Sequence, residues 1–120
     1  MQKVQIPPIE IYEVSDVGQR RYENQDSVAR LLLTKIPYQN GHLLVVADGM
    51  GGASGGQVAS RIAVKEVVEY FQEDPNMEPD VALRESIERA ANAILSEATR
   101  DPTLSGMGTT CVMAMVQNGY

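Results

Sequence analysis

The chain has 120 residues, 43% hydrophobic and 22% charged, with a formal net charge of −6. That length holds one small domain, burying about two-thirds of the surface the unfolded chain exposes, and excludes a two-domain architecture. Without clustered Lys or Arg, an apolar run near the roughly 20 residues of a membrane-spanning helix, or a signal-peptide core in MQKVQIPPIEIYEV, the reading is no nucleic acid, no membrane and a cytoplasmic default.

In chain order, IEIYEVSD (9–16) and SVARLLLT (27–34) have the make-up of strands, and the polar VGQRRYENQDS between them reads as a connection or strand end. HLLVVADG (42–49) is a short apolar run ended by Asp-Gly, as in a largely buried strand. From Ser54 to about Phe71 the period becomes helical, with Val58, Ile62, Val68 and Phe71 near one stripe and Arg61, Lys65 and Glu69 opposite. Ser54 is the candidate N-cap of this helix, and EDPNMEP breaks it. A second helix is expected from Pro79 or Asp80, residues suited to a first turn, to about Ala98, with Leu83, Ile87, Ala91, Ile94 and Ala98 inward. TRDPTLSGMG then forms a loop, and TTCVMAMVQ returns as a strand with so little polar alternation that both faces are expected to be covered. The lone Cys111 there reads as a small buried hydrophobe, and no disulfide framework is possible. Asn118-Gly119 is a hairpin signal whose second strand is absent, so the chain is expected to be a piece of a larger domain.

VVADGMGGASGGQVAS (45–60) sets Asp48 at the end of a buried strand and follows it with five glycines in eight positions, Gly49 to Gly56. Three chemistries compete for this stretch. Gly51 and Gly56 have the spacing of a phosphate-cradling loop, but Gln57 and Val58 stand where that loop needs its lysine and hydroxyl. A dinucleotide turn fails at Ser54, where its third glycine belongs. The run from Gly52 to Gly56 fits a nucleophile elbow around Ser54, yet the only histidine, His42, precedes the serine that it should follow. The third chemistry is metal binding: no side chains crowd the turn, leaving Asp48 room for a hard cation with its waters and the Gly49 carbonyl as a further ligand. Upstream, RRYENQD (20–26) offers Asp26 as a second acidic partner and arginine as a bidentate clamp for phosphate oxygens. Together these are the parts of metal-assisted phosphoryl chemistry. An ordinary Asp-Gly turn and a charged loop are the plain alternatives.

SDVGQRRYENQDS, VVADGMGGASGGQVAS and GMGTT, in this order and at these distances, resemble the N-terminal half of the PPM or PP2C family of metal-dependent protein serine/threonine phosphatases, its bacterial members above all. The likeness runs from about residue 11 to the end. It implies an α+β fold, part of an α-β-β-α sandwich of two antiparallel sheets flanked by helices, truncated after the fourth strand. Residues 1–120 are then the N-terminal portion of a single phosphatase domain. The resemblance implies that Arg21 binds the substrate phosphate with Arg20 as its neighbour, that Asp26 holds water on the metal, and that Asp48 bridges two Mn²⁺ or Mg²⁺ ions. The Gly49 carbonyl completes one ion's ligand set. Asp48, Asp26 and Arg21 are thus the implied catalytic set, and Asp48, Gly49 and Asp26 the metal set. Gln25 replaces a frequent glutamate, and Met50 stands where eukaryotic members have a histidine proposed as general acid. The implied reaction is hydrolysis of phosphoserine or phosphothreonine in a phosphorylated protein by a metal-activated water. The second metal site is incomplete in this chain, because the family's further aspartates come later, so the activity belongs to the full domain. A different class stays open: a truncated, catalytically weak metal-binding or interaction module, completed by another chain along its strand edges.

Overall fold

Side chains alternate between the faces of a strand, and in this chain that alternation decides what the helices cover. The computed structural model describes residues 26–34, 37–38, 41–50 and 55–117. They form strands β1 (Asp26–Leu33) and β2 (Gly41–Met50) and helices α1 (Gly55–Gln72) and α2 (Pro79–Arg100). A single 3-10 turn (Pro102–Leu104) follows, then strands β3 (Gly108–Thr109) and β4 (Val112–Gln117). The expected strand at 9–16, the N-cap at Ser54 and the Asn118-Gly119 turn lie outside the described residues. Among those described, no helix is long and apolar enough to cross a membrane.

β2 is the centre of a four-stranded antiparallel sheet, with β1 along one edge and both β3 and β4 along the other. Its odd-numbered residues Leu43, Val45 and Ala47 face the helices and are fully buried. They form one core with Leu33, with Ala63, Val67 and Phe71 of α1, and with Ala82 and Ala90 of α2. The other face carries Leu32, Val46 and Val112, exposed by 58%, 49% and 67%. The expectation that the last strand is covered on both faces therefore fails among the described residues: the helices lie on one side only.

Both helices form where their periodicity places them, but each buries a narrower line than the large residues suggested. α1 buries Gly55, Gly56, Ala59, Ser60, Ala63, Val67 and Phe71, while Val58, Ile62 and Val68 flank that line, half-buried. The first half of that line is glycine, alanine and serine, and Val67 and Phe71 complete it. α2 packs chiefly on α1 and buries Ala82, Ser86 and Ala90; Ile87 and Ala91, expected inward, face solvent. Arg89 crosses the seam, donating from Nε to Glu66 Oε2 at 2.8 Å and bidentately to Glu73 at 2.6 and 3.0 Å.

The expected single strand TTCVMAMVQ is interrupted. β3 and β4 keep one register along β2, with Gly49 opposite Thr109 and Val46 opposite Val112, and the break falls on Thr110 and Cys111. Cys111 is half-buried against the helix-side core, and burial pushes its thiol above the usual range.

Candidate active site

Antiparallel pairing decides which carboxylates meet. The register of β1 on β2 sets Asp26 directly opposite Asp48. Directly opposed residues share a face and hold their Cβ atoms about 4.5–5.5 Å apart, so two side chains 22 positions apart in sequence converge at one end of the sheet. Both are partly exposed. Like charges set directly opposite disfavour a sheet unless opposite charge balances them, and a divalent cation is one group that supplies it.

Thr110, in the break between β3 and β4, braces the backbone of Asp48. Its N–H donates to the Asp48 carbonyl at 2.9 Å, while its Oγ1 accepts the Asp48 N–H at 3.3 Å and approaches the Asp48 carbonyl at 3.4 Å. The hydroxyl takes a bond that an uninterrupted ladder would give to a carbonyl, and this accounts for the break. Nothing in GMGTT marks Thr110 for this contact, because the register that brings it to Asp48 is a tertiary fact. On the far side of the 51–54 connection, a Cβ placed on Gly55 would lie 3.2 Å from Met107 Cβ, so α1 starts against the segment leading into β3. Met50 stands two residues beyond Asp48 on the same face, opposite Gly108 and 55% exposed.

The structure thus brings Asp26, Asp48 and Gly49 to one sheet end, whereas Arg20, Arg21 and Gln25 lie outside the described residues. Two carboxylates and a backbone carbonyl are hard oxygen donors, the kind that Mg²⁺ and Mn²⁺ take. The donor set fits in chemistry and is short in number: among the described residues no group of three or more His, Cys, Asp or Glu is assembled for a metal. A separate cavity of about 180 Å³ lies at the other end of β1, lined by Leu31, Leu33, Tyr38 and Phe71 among others.

A family model described as protein phosphatase 2C matches residues 19–120. The serine/threonine protein phosphatase PstP of Mycobacterium tuberculosis is 33% identical over 96 residues, which are 80% of this chain and 17% of that protein. The serine/threonine phosphatase stp of Listeria monocytogenes is 33% identical over 106 residues, 85% of this chain and 40% of that one. Among solved structures, the serine/threonine phosphatase Stp1 from Staphylococcus aureus superposes with a TM-score of 0.75 at 32% identity, covering 88% of this chain and 41% of that chain. The catalytic domain of PstP in complex with two manganese ions gives 0.66 at 32% identity, covering 82% and 39%. The chain spans less than half the length of these relatives. With the family model matched over all but its first 18 residues, the chain belongs to the protein phosphatase 2C family.

Proposed function

We propose that this chain supplies part of the active site of a metal-dependent protein serine/threonine phosphatase, which hydrolyses phosphoserine and phosphothreonine in phosphorylated proteins. The observation that carries the reading is Asp26 placed directly across from Asp48 at the sheet end, in a member of the protein phosphatase 2C family. The names of the relatives favour an enzyme over the interaction-module alternative. Their greater length supports residues 1–120 being the N-terminal portion of one phosphatase domain.

Two bound divalent ions, Mn²⁺ or Mg²⁺, supply Lewis-acid activation of the attacking water and neutralise phosphoryl charge. In this reading Asp48 and the Gly49 carbonyl would hold the ions. Asp26 orients water through its carboxylate, and Arg21 grips two phosphate oxygens with parallel N–H bonds. Met50 has no proton to give, so the leaving serine or threonine oxygen takes its proton from another group. The manganese complex of PstP supports the two-ion assignment.

The test is hydrolysis of p-nitrophenyl phosphate by the full-length protein in Mn²⁺ and in Mg²⁺, against an EDTA control and Asp48→Ala. Turnover is expected to need the metal and to fall to the EDTA background in the variant. Wild-type rates in Asp48→Ala would contradict the proposal.

A further inference from the structure

Behind Asp26, on the helix side of the sheet, Ser27 Oγ lies 3.0 Å from Ser60 Oγ. Ser60 Oγ donates to the Gln57 carbonyl oxygen at 3.2 Å. A hydroxyl has one proton to give, so Ser27 is the donor to Ser60, and the bonds run from β1 into the first turns of α1. Ser60 is fully buried, and its donor is already satisfied by its own helix; the bond from Ser27 is not needed to offset that burial.

Ser86 provides an internal comparison. It is equally buried, on α2, and also donates to the carbonyl three residues back, that of Leu83, at 2.8 Å. Its other neighbour is the sulfur of Met113 at 3.6 Å. What sets Ser60 apart is a hydrogen bond to the residue adjoining Asp26.

We infer that Ser27 and Ser60 are positioning residues whose hydroxyl pair fixes the start of β1 against α1 and so sets where the Asp26 carboxylate stands relative to Asp48. Asp26 adjoins Ser27 in β1 and pairs with Asp48 across the ladder to β2. The bond to α1 adds a constraint from behind. α1 also approaches the segment leading into β3, where a Cβ on Gly55 would lie 3.2 Å from Met107 Cβ. One helix therefore packs on β1 and β3, the strands on either side of Asp48. The inference rests on the metal-dependent phosphatase reading above.

The test is Mn²⁺ affinity of the full-length protein by calorimetry, with the Tm of each variant measured in parallel. Ser27→Ala and Ser60→Ala are each expected to weaken Mn²⁺ binding about tenfold, as loss of supporting hydrogen bonds does at metal sites. The double variant is expected to bind no more weakly than either single one, because both remove the same bond. Ser27→Thr, which keeps the hydroxyl, is expected to bind as the wild type does, and Ser86→Ala to lower Tm without moving the affinity. Wild-type affinity in Ser27→Ala and Ser60→Ala, or an equal loss in Ser86→Ala, would overturn the positioning role and leave the phosphatase reading standing. Undiminished Mn²⁺ binding by Asp48→Ala, measured alongside, would overturn the metal site itself and this inference with it.

Discussion

At the scale of single residues, the site depends on hydroxyls as well as carboxylates. Thr110 receives the Asp48 N–H and returns its own N–H to the Asp48 carbonyl, so it sets the backbone from which the Asp48 carboxylate projects. Thr110→Val keeps the shape and removes the hydroxyl. It is expected to lower Mn²⁺-dependent hydrolysis about tenfold, with Thr110→Ser largely restored; equal rates in all three proteins would show that the hydroxyl does nothing for Asp48. Cys111 next to it is half-buried, and burial holds its thiol above the usual range. At pH 8 the native protein is expected to react with iodoacetamide more slowly than the unfolded protein does, because the thiolate is the reactive form. A native rate equal to the unfolded one would contradict the burial. Asp48 and its glycines stood out in the sequence as a carboxylate at a strand end followed by bare backbone, a pattern an ordinary Asp-Gly turn shares, and only the three motifs together pointed to a metal. Thr110, Ser27 and Ser60 did not stand out, since an isolated hydroxyl in a string carries no period and gains meaning only from the element it meets.

At the scale of elements, periodicity located β1, β2, α1 and α2 to within a residue or two and placed Phe71, Leu83 and Ile94 on the core side, but it misjudged Ile87 and Ala91. The reason lies in packing. Large apolar residues dominate a sequence pattern, yet helices that approach closely do so along small ones, and α2 buries Ala82, Ser86 and Ala90 while Ile87 stays 42% exposed. The two helices are further joined by Arg89, whose bonds to Glu73 hold that carboxyl below the usual glutamate range. A depressed folded-state value means that the pair's stabilisation is complete above the ordinary value of 4.5 and is lost as pH falls through the folded one. The Tm of the wild type is therefore expected to exceed that of Glu73→Gln near neutral pH, with the gap closing in acid and shrinking in high salt. A gap that widens as pH falls from neutral would contradict the assignment.

At the scale of the whole molecule, among the described residues one sheet face is packed against two helices and holds the core, while the other carries the aspartate pair at one end of an apolar surface that includes the exposed Leu32, Val46 and Val112. Leu43, fully buried at the middle of the packed face, anchors that arrangement; Leu43→Ala is expected to cost about 2–5 kcal/mol in denaturant unfolding. A loss of a few tenths would mean that the sheet is not packed as described. The antiparallel register turns a spacing in sequence into a site in space, because it sets Asp26 opposite Asp48. No periodicity in the sequence could have specified that pairing, although the resemblance of the motifs implied a common metal site.

In the proposed reading these two aspartates share a divalent metal site. An anomalous difference map from crystals of the full-length protein grown in Mn²⁺ tests that most directly. Peaks are expected within coordinating reach of the Asp48 carboxylate, on the side facing Asp26, and are expected to vanish in Asp48→Ala; Mn²⁺ bound elsewhere, with none at Asp48, would contradict it.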